Sequence, residues 1–446
     1  MANLNYKLLL NKSMLNDFSI DGGWISMDDN VDLSADEGKL KYGTLEYKDG
    51  SSKLKLFQSW KEKLDRINSD TSLIRKSNIL GVIAEDNSKF VLIPSIARTA
   101  DTDDLKYFSN NFSVVKRAWD LKEFSVINYD PKDRIDFTNI ILDYSHLNEW
   151  IDPAQRFITN SKNMSLKIKN SKSILLSRFT YHGQLFLVKL AGNISESFGN
   201  WNRTIKYVNK SYLVIEGENN ISTNLAKYFA QEFRKMLAVI YGAPENTTRL
   251  SMQGFNKTNK YLALQDIYFL EMRSVNKKSK LNIGYKFTFK NDIQMEQLIP
   301  NWFNADEKLK LLIQDYLLTV NYRTSVENEL INLTEGIESF YRNKKKAYLI
   351  DKLKWFLATF SDEIKNNLTY YVGNLDSWAY SLKQTRAHIA HGDQKKAAIK
   401  DFETLSKHVG VLKVLVQAFI LQQLGNKLSS DKIESNIALE FNSEFI

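Results

Sequence analysis

Over roughly the first 290 residues, apolar and polar positions alternate with a period of two, the spacing of half-buried strands. Leu40, Tyr42 and Leu45 lead into Asp49-Gly50, and Leu54 and Leu56 alternate with lysines after it. Alternation on both sides of Asp-Gly predicts a hairpin, because a type I′ turn needs positive φ at both central residues. Ile79 to Ala84, Asp86-Asn87 and Phe90 to Ile93 repeat the pattern. Further strands are expected over 113–119, 124–128, 174–179, 185–190 and 207–216, and at the alternating Tyr285, Phe287 and Phe289. One segment has helical spacing instead: Leu225, Tyr228, Phe229, Phe233, Met236, Leu237 and Ile240. Ser222 or Thr223 stands at its N-cap position, with Gly242 and Pro244 just past its end.

Beyond Pro300 the period changes to that of helices. Leu309, Leu312, Ile313 and Tyr316 open a first. Val326, Leu330, Leu333, Ile337 and Phe340 mark a second, and Leu349, Leu353, Phe356 and Phe360 a third. Leu375 to His391 forms a fourth, and Phe402 to Phe419 a fifth that stops near Gly425. Five amphipathic helices with short connections make a bundle. The expected fold is therefore multidomain α+β. A β-rich, sandwich-like region (1–303, with a subdivision near 150–165) carries one inserted helix and precedes an all-α bundle (304–446).

Composition narrows the chemistry. No cysteine occurs among the 446 residues, which removes disulfides, thiolate nucleophiles and Cys-based metal sites and fits a reducing, cytoplasmic setting. The start of the chain reads as no secretory signal, and no run is read as a membrane span. The net charge of +9 is compatible with a polyanionic partner, and equally with a Lys-rich composition of no functional meaning. No GxxxxGK[ST] loop, no GxGxxG after a strand and no HExxH motif is present.

The fourth helix ends Thr385-Arg386-Ala387-His388-Ile389-Ala390-His391-Gly392-Asp393. Gly392 suits the C′ position, which would put Arg386 and His391 in the last two turns. An Arg and a His suffice to cleave RNA without a metal or other cofactor. The 2′-OH attacks the adjacent phosphate, an imidazole moves the protons, and a guanidinium holds the non-bridging oxygens as charge builds. DNA lacks the 2′-OH, so this chemistry selects RNA. The same string also has an ordinary reading, since cations near a helix C-terminus complement its dipole. His388 and His391 are spaced to share a metal, but no third ligand accompanies them.

The string TRAHIAHGD in a helical bundle resembles the HEPN superfamily, and the chain as a whole resembles the ApeA family of bacterial anti-phage proteins. The resemblance lies in LINLTEGIESFYR (Leu330 to Arg342) and the motif itself. Upstream it lies in Gly43-Thr44-Leu45, Leu54 to Phe57, Ile79 to Val82 and ILDYSHLNEWI (Ile141 to Ile151). It implies an abortive-infection effector in which Arg386 and His391 are catalytic. The upstream region would sense a phage trigger and hold the ribonuclease off, tRNA would be among the substrates, and the active unit would be a homodimer or larger. Ala387 departs from the family, which usually has a polar residue after the Arg; His388 is a candidate to replace it. Glu338 is a candidate to orient the Arg, and Lys344, Lys345 and Lys346 are candidates to line an RNA path. Each of these four also reads as solvated surface. His146, near Tyr144 and Trp150, reads as a packed residue. The competing class is a catalytically inactive HEPN interaction module beside a ligand-binding β-rich region.

Overall fold

The structure is a computed structural model. It describes residues 9–10, 12–26, 40–56, 79–84, 89–93, 117–121, 123–151, 157–160, 165–168, 173–198, 205–256, 261–269, 287–289, 292–322, 324–342, 347–391, 398–399 and 401–442. In chain order the elements begin β1 (Phe18–Ser26), β2 (Lys41–Lys48), β3 (Ser51–Leu56), β4 (Ile79–Ile83), β5 (Phe90–Ile93), β6 (Arg117–Leu121), β7 (Glu123–Ile127) and β8 (Asp136–Tyr144). There follow α1 (Leu147–Trp150), β9 (Phe157–Asn160), β10 (Ser165–Ile168), β11 (Ile174–Tyr181), β12 (Gln184–Phe198), β13 (Ile205–Gly217), α2 (Thr223–Tyr241), β14 (Thr247–Asn256) and β15 (Tyr261–Phe269). The remaining helices are α3 (Met295–Phe303), α4 (Glu307–Asn321), α5 (Val326–Phe340), α6 (Leu349–Ala358), α7 (Asp362–Val372), α8 (Leu375–His391), α9 (Phe402–Gln423) and α10 (Ser430–Asn442).

Two compact units divide the chain. The first comprises Met1–Ser145, Leu190–Ala230 and Thr247–Arg273; the second comprises His146–Lys189, Gln231–Asn246 and Ser274–Ile446.

In the first unit the strands run β13-β8-β14-β15-β7-β5-β4-β1-β2-β3-β6 in hydrogen-bonding order. The β2–β3 turn has φ of 51° at Asp49 and 79° at Gly50, as its sequence demanded. The sheet curls back on itself. Tyr47 of β2 and Tyr268 of β15 sit on strands five places apart, roughly 24 Å if the sheet were flat. Their rings are 5.7 Å apart, and Phe18 and Phe124 join the cluster. Where a sandwich-like region was expected, the structure has one large antiparallel sheet that curls. Trp24, fully buried, lies over Gly81 on the neighbouring strand and donates Nε1–H to Gly43 O at 3.0 Å. A Cβ on residue 81 would come within 2.4 Å of the indole, so only glycine fits there.

The same inner face carries charge. Arg249 and Ser251 of β14 and Asp266 of β15 are all buried. Arg249 Nε donates to Ser251 Oγ at 2.7 Å, and Ser251 donates to Asp266. The segment before β1 closes over them: Leu9 N donates to Asp266, Tyr268 OH to Lys12 O, and Met14 N to Thr248 O. Burial raises the Asp266 carboxyl, while Arg249, Ser251 and the Leu9 amide pull it down.

The second unit is wider than a cut at 303/304 would make it. Gln417 of α9, fully buried, donates to Val239 O and Ile240 O at 2.7 and 3.1 Å. It thereby satisfies carbonyls that the last turn of α2 leaves open. Phe303 of α3 stacks on Phe179 of β11 at 4.5 Å, and Trp302 Nε1 donates to Glu232 Oε2. The hairpin β11–β12, the end of α2 and α3 therefore pack as one body with the bundle.

From residue 304 on, seven helices (α4–α10) are described rather than the five expected. Short α7 and α10 bury too few apolar residues to leave a readable stripe: Ile364 and Leu368 in one, Ile433 and Ile437 in the other. Phe287 and Phe289 form no strand; Thr288 donates through N and Oγ1 to Asp292 Oδ2, closing a turn. Tyr285, the Asp86-Asn87 turn and residues 113–116 lie outside the described residues. Also against expectation, α9 is long and apolar enough to cross a membrane by length and composition, with 67% of that stretch buried inside the fold. Such burial is what a core helix shows.

Trp24→Ala should therefore destabilise the first unit by about 3–5 kcal/mol, the usual range for removing a buried Trp. A chemical denaturation curve checks it. A midpoint unchanged from the parent protein would mean that the Trp24–Gly81 contact carries no stability.

Candidate active site

Helix α8 begins where α7 is stopped. Gly373 takes φ of 73° after Val372, and Asn374 caps the new helix through its Oδ1, which accepts from Ser377 N at 3.0 Å. Trp378, Ala379, Leu382 and Thr385 form its buried face. Thr385 Oγ1 donates to Ser381 O and accepts from Ile399 N at 3.2 Å, so the chain returning after the motif is tied to the same turn.

Arg386 follows Thr385 at the edge of that face, with 24% of its side chain exposed. Its Nη2 lies 3.5 Å from Glu335 Oε1 and 3.7 Å from Glu338 Oε2, both on α5. Its Nε is buried and has no hydrogen-bond partner among the described residues. Glu335 and Glu338 are three residues apart, so a helix puts them on one face. Glu338 is held from behind by Lys352 of α6, whose ammonium is 3.0 Å away; that lysine side chain is only 9% exposed. Asp315 of α4 completes the cluster. Burial, and then the charge of Glu335, push its carboxyl up to about 6. The helices can approach because residue 336 is glycine: a Cβ there would meet Leu312 at 2.9 Å and Asp315 Cβ at 3.2 Å.

Of the residues singled out from sequence, Arg386 and Glu338 are thus brought together. Position 391 is the last of α8, and its side chain lies outside the described residues. Lys344, Lys345, Lys346 and Gly392 also lie outside them. His388 and Ala387 are half-buried on α8. Glu335, Lys352 and Asp315 were not singled out. The Glu335/Glu338 spacing was visible, but nothing along the chain says that α8 faces it.

The other histidines stand apart from this cluster in role. His146 packs edge-on to Tyr241 with Nδ1 3.4 Å from Glu245 Oε2; burial alone would lower it, but Glu245 and Glu149 raise it above its usual value. It is a packed, paired residue. His408 lies edge-on to Trp378, and burial lowers its pKa. Among the described residues no group of three or more His, Asp or Glu could hold a metal ion.

A helical bundle in which a core helix presents Arg386 with a His five residues later has the features of the HEPN class. The comparison with protein families agrees. Residues 314–429 match the family model described as Apea-like HEPN, about a quarter of the chain and all of it C-terminal. Residues 314–429 accordingly form an ApeA-type HEPN domain. No curated protein and no solved structure matches the chain.

Asp315 supplies a pH test. Its carboxyl is raised in the fold from 3.8 to about 6, so the neutral form is favoured there. Its contribution to stability is complete below the unfolded value and is lost as pH rises through the folded one. Asp315→Asn should leave stability unchanged near pH 3.8 and increase it above about pH 6. Thermal midpoints at the two ends of this window check it, and a pH-independent difference would remove the electrostatic explanation.

Proposed function

We propose that the HEPN domain is a metal-independent endoribonuclease in which Arg386 and His391 act on one phosphodiester. Arg386 grips the non-bridging oxygens through its planar donor fork as negative charge develops. His391 moves protons between the 2′-OH, which attacks, and the departing 5′ oxygen. The bond formed is 2′-O to phosphorus, and the bond broken is phosphorus to 5′-O. The products are a 2′,3′-cyclic phosphate and a 5′-hydroxyl.

The observation that supports this reading best is the setting of Arg386. Two carboxylates on a neighbouring helix orient it, yet part of the side chain remains exposed near the end of α8, five residues from His391. We further propose that the reaction serves anti-phage defence, that the upstream region restrains it until a phage component is sensed, and that tRNA is among the substrates. Support for these comes from the ApeA-like family match alone. Ala387, in place of a polar neighbour, favours the inactive-module reading, and one variant decides between them.

His391→Ala, in the purified full-length chain, should lower RNA cleavage by about 10²–10⁴, the range of positioned proton transfer. Its unfolding free energy should stay within about 1 kcal/mol of the parent's, since the substitution removes no large apolar side chain. Undiminished cleavage by the folded variant would end the assignment.

In-line cleavage wants a base on the attacking side and an acid on the leaving side, which one His supplies awkwardly. We therefore propose that two copies of α8 meet across a two-fold axis and share one site. Full specific activity from a protein that sediments as a 51.7 kDa monomer would contradict this; a dimer at the concentration of the assay is expected.

A further inference from the structure

Tyr380 of α8 is 53% exposed, yet its ring is held in place. Gln384 Nε2 donates to its hydroxyl at 2.6 Å, and Lys383 Nζ lies 5.7 Å from the ring centroid. Both partners belong to the next turn of the same helix, so the ring is ordered without being buried. A side chain already fixed in this way loses little further freedom when something stacks on it. Among the described residues no carboxylate pairs with Lys383, and its ammonium lies against this ring instead.

Position on the helix gives the ring a direction. Positions 380 and 391 are eleven residues apart, close to three whole turns, so they fall nearly in line on one face, about 16 Å apart along the axis. Positions 384 and 387 lie between them. The opposite face is the one that buries Trp378, Leu382 and Thr385. The outer face of α8 thus runs from an ordered aromatic ring with a cation beside it to the His391 end of the motif.

We propose that Tyr380 is a stacking platform for an unpaired RNA base, with Lys383 beside it to meet the adjoining phosphate, a few nucleotides from the bond that is cut. This rests on the ribonuclease reading and adds to it a requirement for single-stranded RNA. Stacking on an aromatic face accepts any base but needs one that is not already stacked in a duplex. A cation on the ring and an anionic strand beside it are complementary in charge, in keeping with a chain of net charge +9. Gln384 contributes by fixing the phenol edge, so the hydroxyl itself matters less than the ring.

The test is binding rather than cleavage. The probe is a fluorescently labelled single strand of about 12 nucleotides, 2′-O-methylated throughout so that it cannot be cut by its own 2′ oxygens. Tyr380→Ala in the full-length chain should weaken binding about tenfold, the loss expected for one stacked base, while Tyr380→Phe retains it within about twofold. The same strand annealed into a duplex should bind the parent and Tyr380→Ala proteins alike. Equal affinity of parent and Tyr380→Ala for the single strand overturns the platform and leaves the ribonuclease assignment intact. A change in sedimentation without a change in affinity also overturns it, and makes this face a contact between two copies of the chain. Loss of cleavage in His391→Ala with no effect at Tyr380 separates the two readings from the other side.

Discussion

An arginine that is to meet a phosphate must be held in position without being fully neutralised by the groups that hold it. Here Arg386 is set in a row of charged groups across four helices, with Glu335 and then Asp315 on one side and Glu338 and then Lys352 on the other. The two carboxylates stand 3.5 and 3.7 Å from the guanidinium, longer than close charge-assisted hydrogen bonds, so they orient it loosely. The firm contact is one step back, where the buried Lys352 holds Glu338 at 3.0 Å. Lys352 is nearly inaccessible and so is anchored by packing as much as by charge. Glu335 has the opposite kind of neighbour, Asp315, whose carboxyl is raised first by burial and then by the charge of Glu335. The two carboxylates therefore differ in support: Glu338 is anchored by Lys352, while Glu335, slightly nearer the guanidinium, stands beside another carboxyl.

Much of this was legible along the chain, and the exceptions share a cause. Helices α2, α5 and α9 were readable because their buried faces are apolar at regular steps. Hairpin β2–β3 was readable because Asp49-Gly50 fits only one kind of turn. Strands β14 and β15 were not, because their buried positions include Arg249, Ser251, Gln253 and Asp266, and a hydrophobic pattern cannot register a buried polar face. The alternation of Tyr285, Phe287 and Phe289 misled in the opposite sense: a turn closed by Thr288 and Asp292 buries Phe287 without any strand. At the candidate site, Arg386 and His391 were singled out from spacing, and the His391 side chain lies outside the described residues. Glu335, Lys352 and Asp315 come from helices whose mutual orientation only the fold supplies.

The division of the chain illustrates the same limit. A break in periodicity near Pro300 suggested a boundary there, but α3 contains Pro300 within it and packs on β11. With Gln417 capping the carbonyls at the end of α2, the bundle depends on residues more than 170 positions before Gln417 in the chain. An isolated 304–446 fragment would leave Gln417 and α9 without these partners. Activity is therefore a property to be measured on the full chain.

The most direct measurement of the central claim is the chemistry of the RNA ends. The full-length protein is incubated with a single-stranded RNA in excess EDTA, and the fragments are resolved by mass spectrometry. Cleavage by Arg386 and His391 through the 2′-OH predicts 2′,3′-cyclic phosphate and 5′-hydroxyl termini that form undiminished under chelation. Fragments ending in 3′-hydroxyl and 5′-phosphate, or cleavage that EDTA abolishes and a divalent ion restores, would contradict the account.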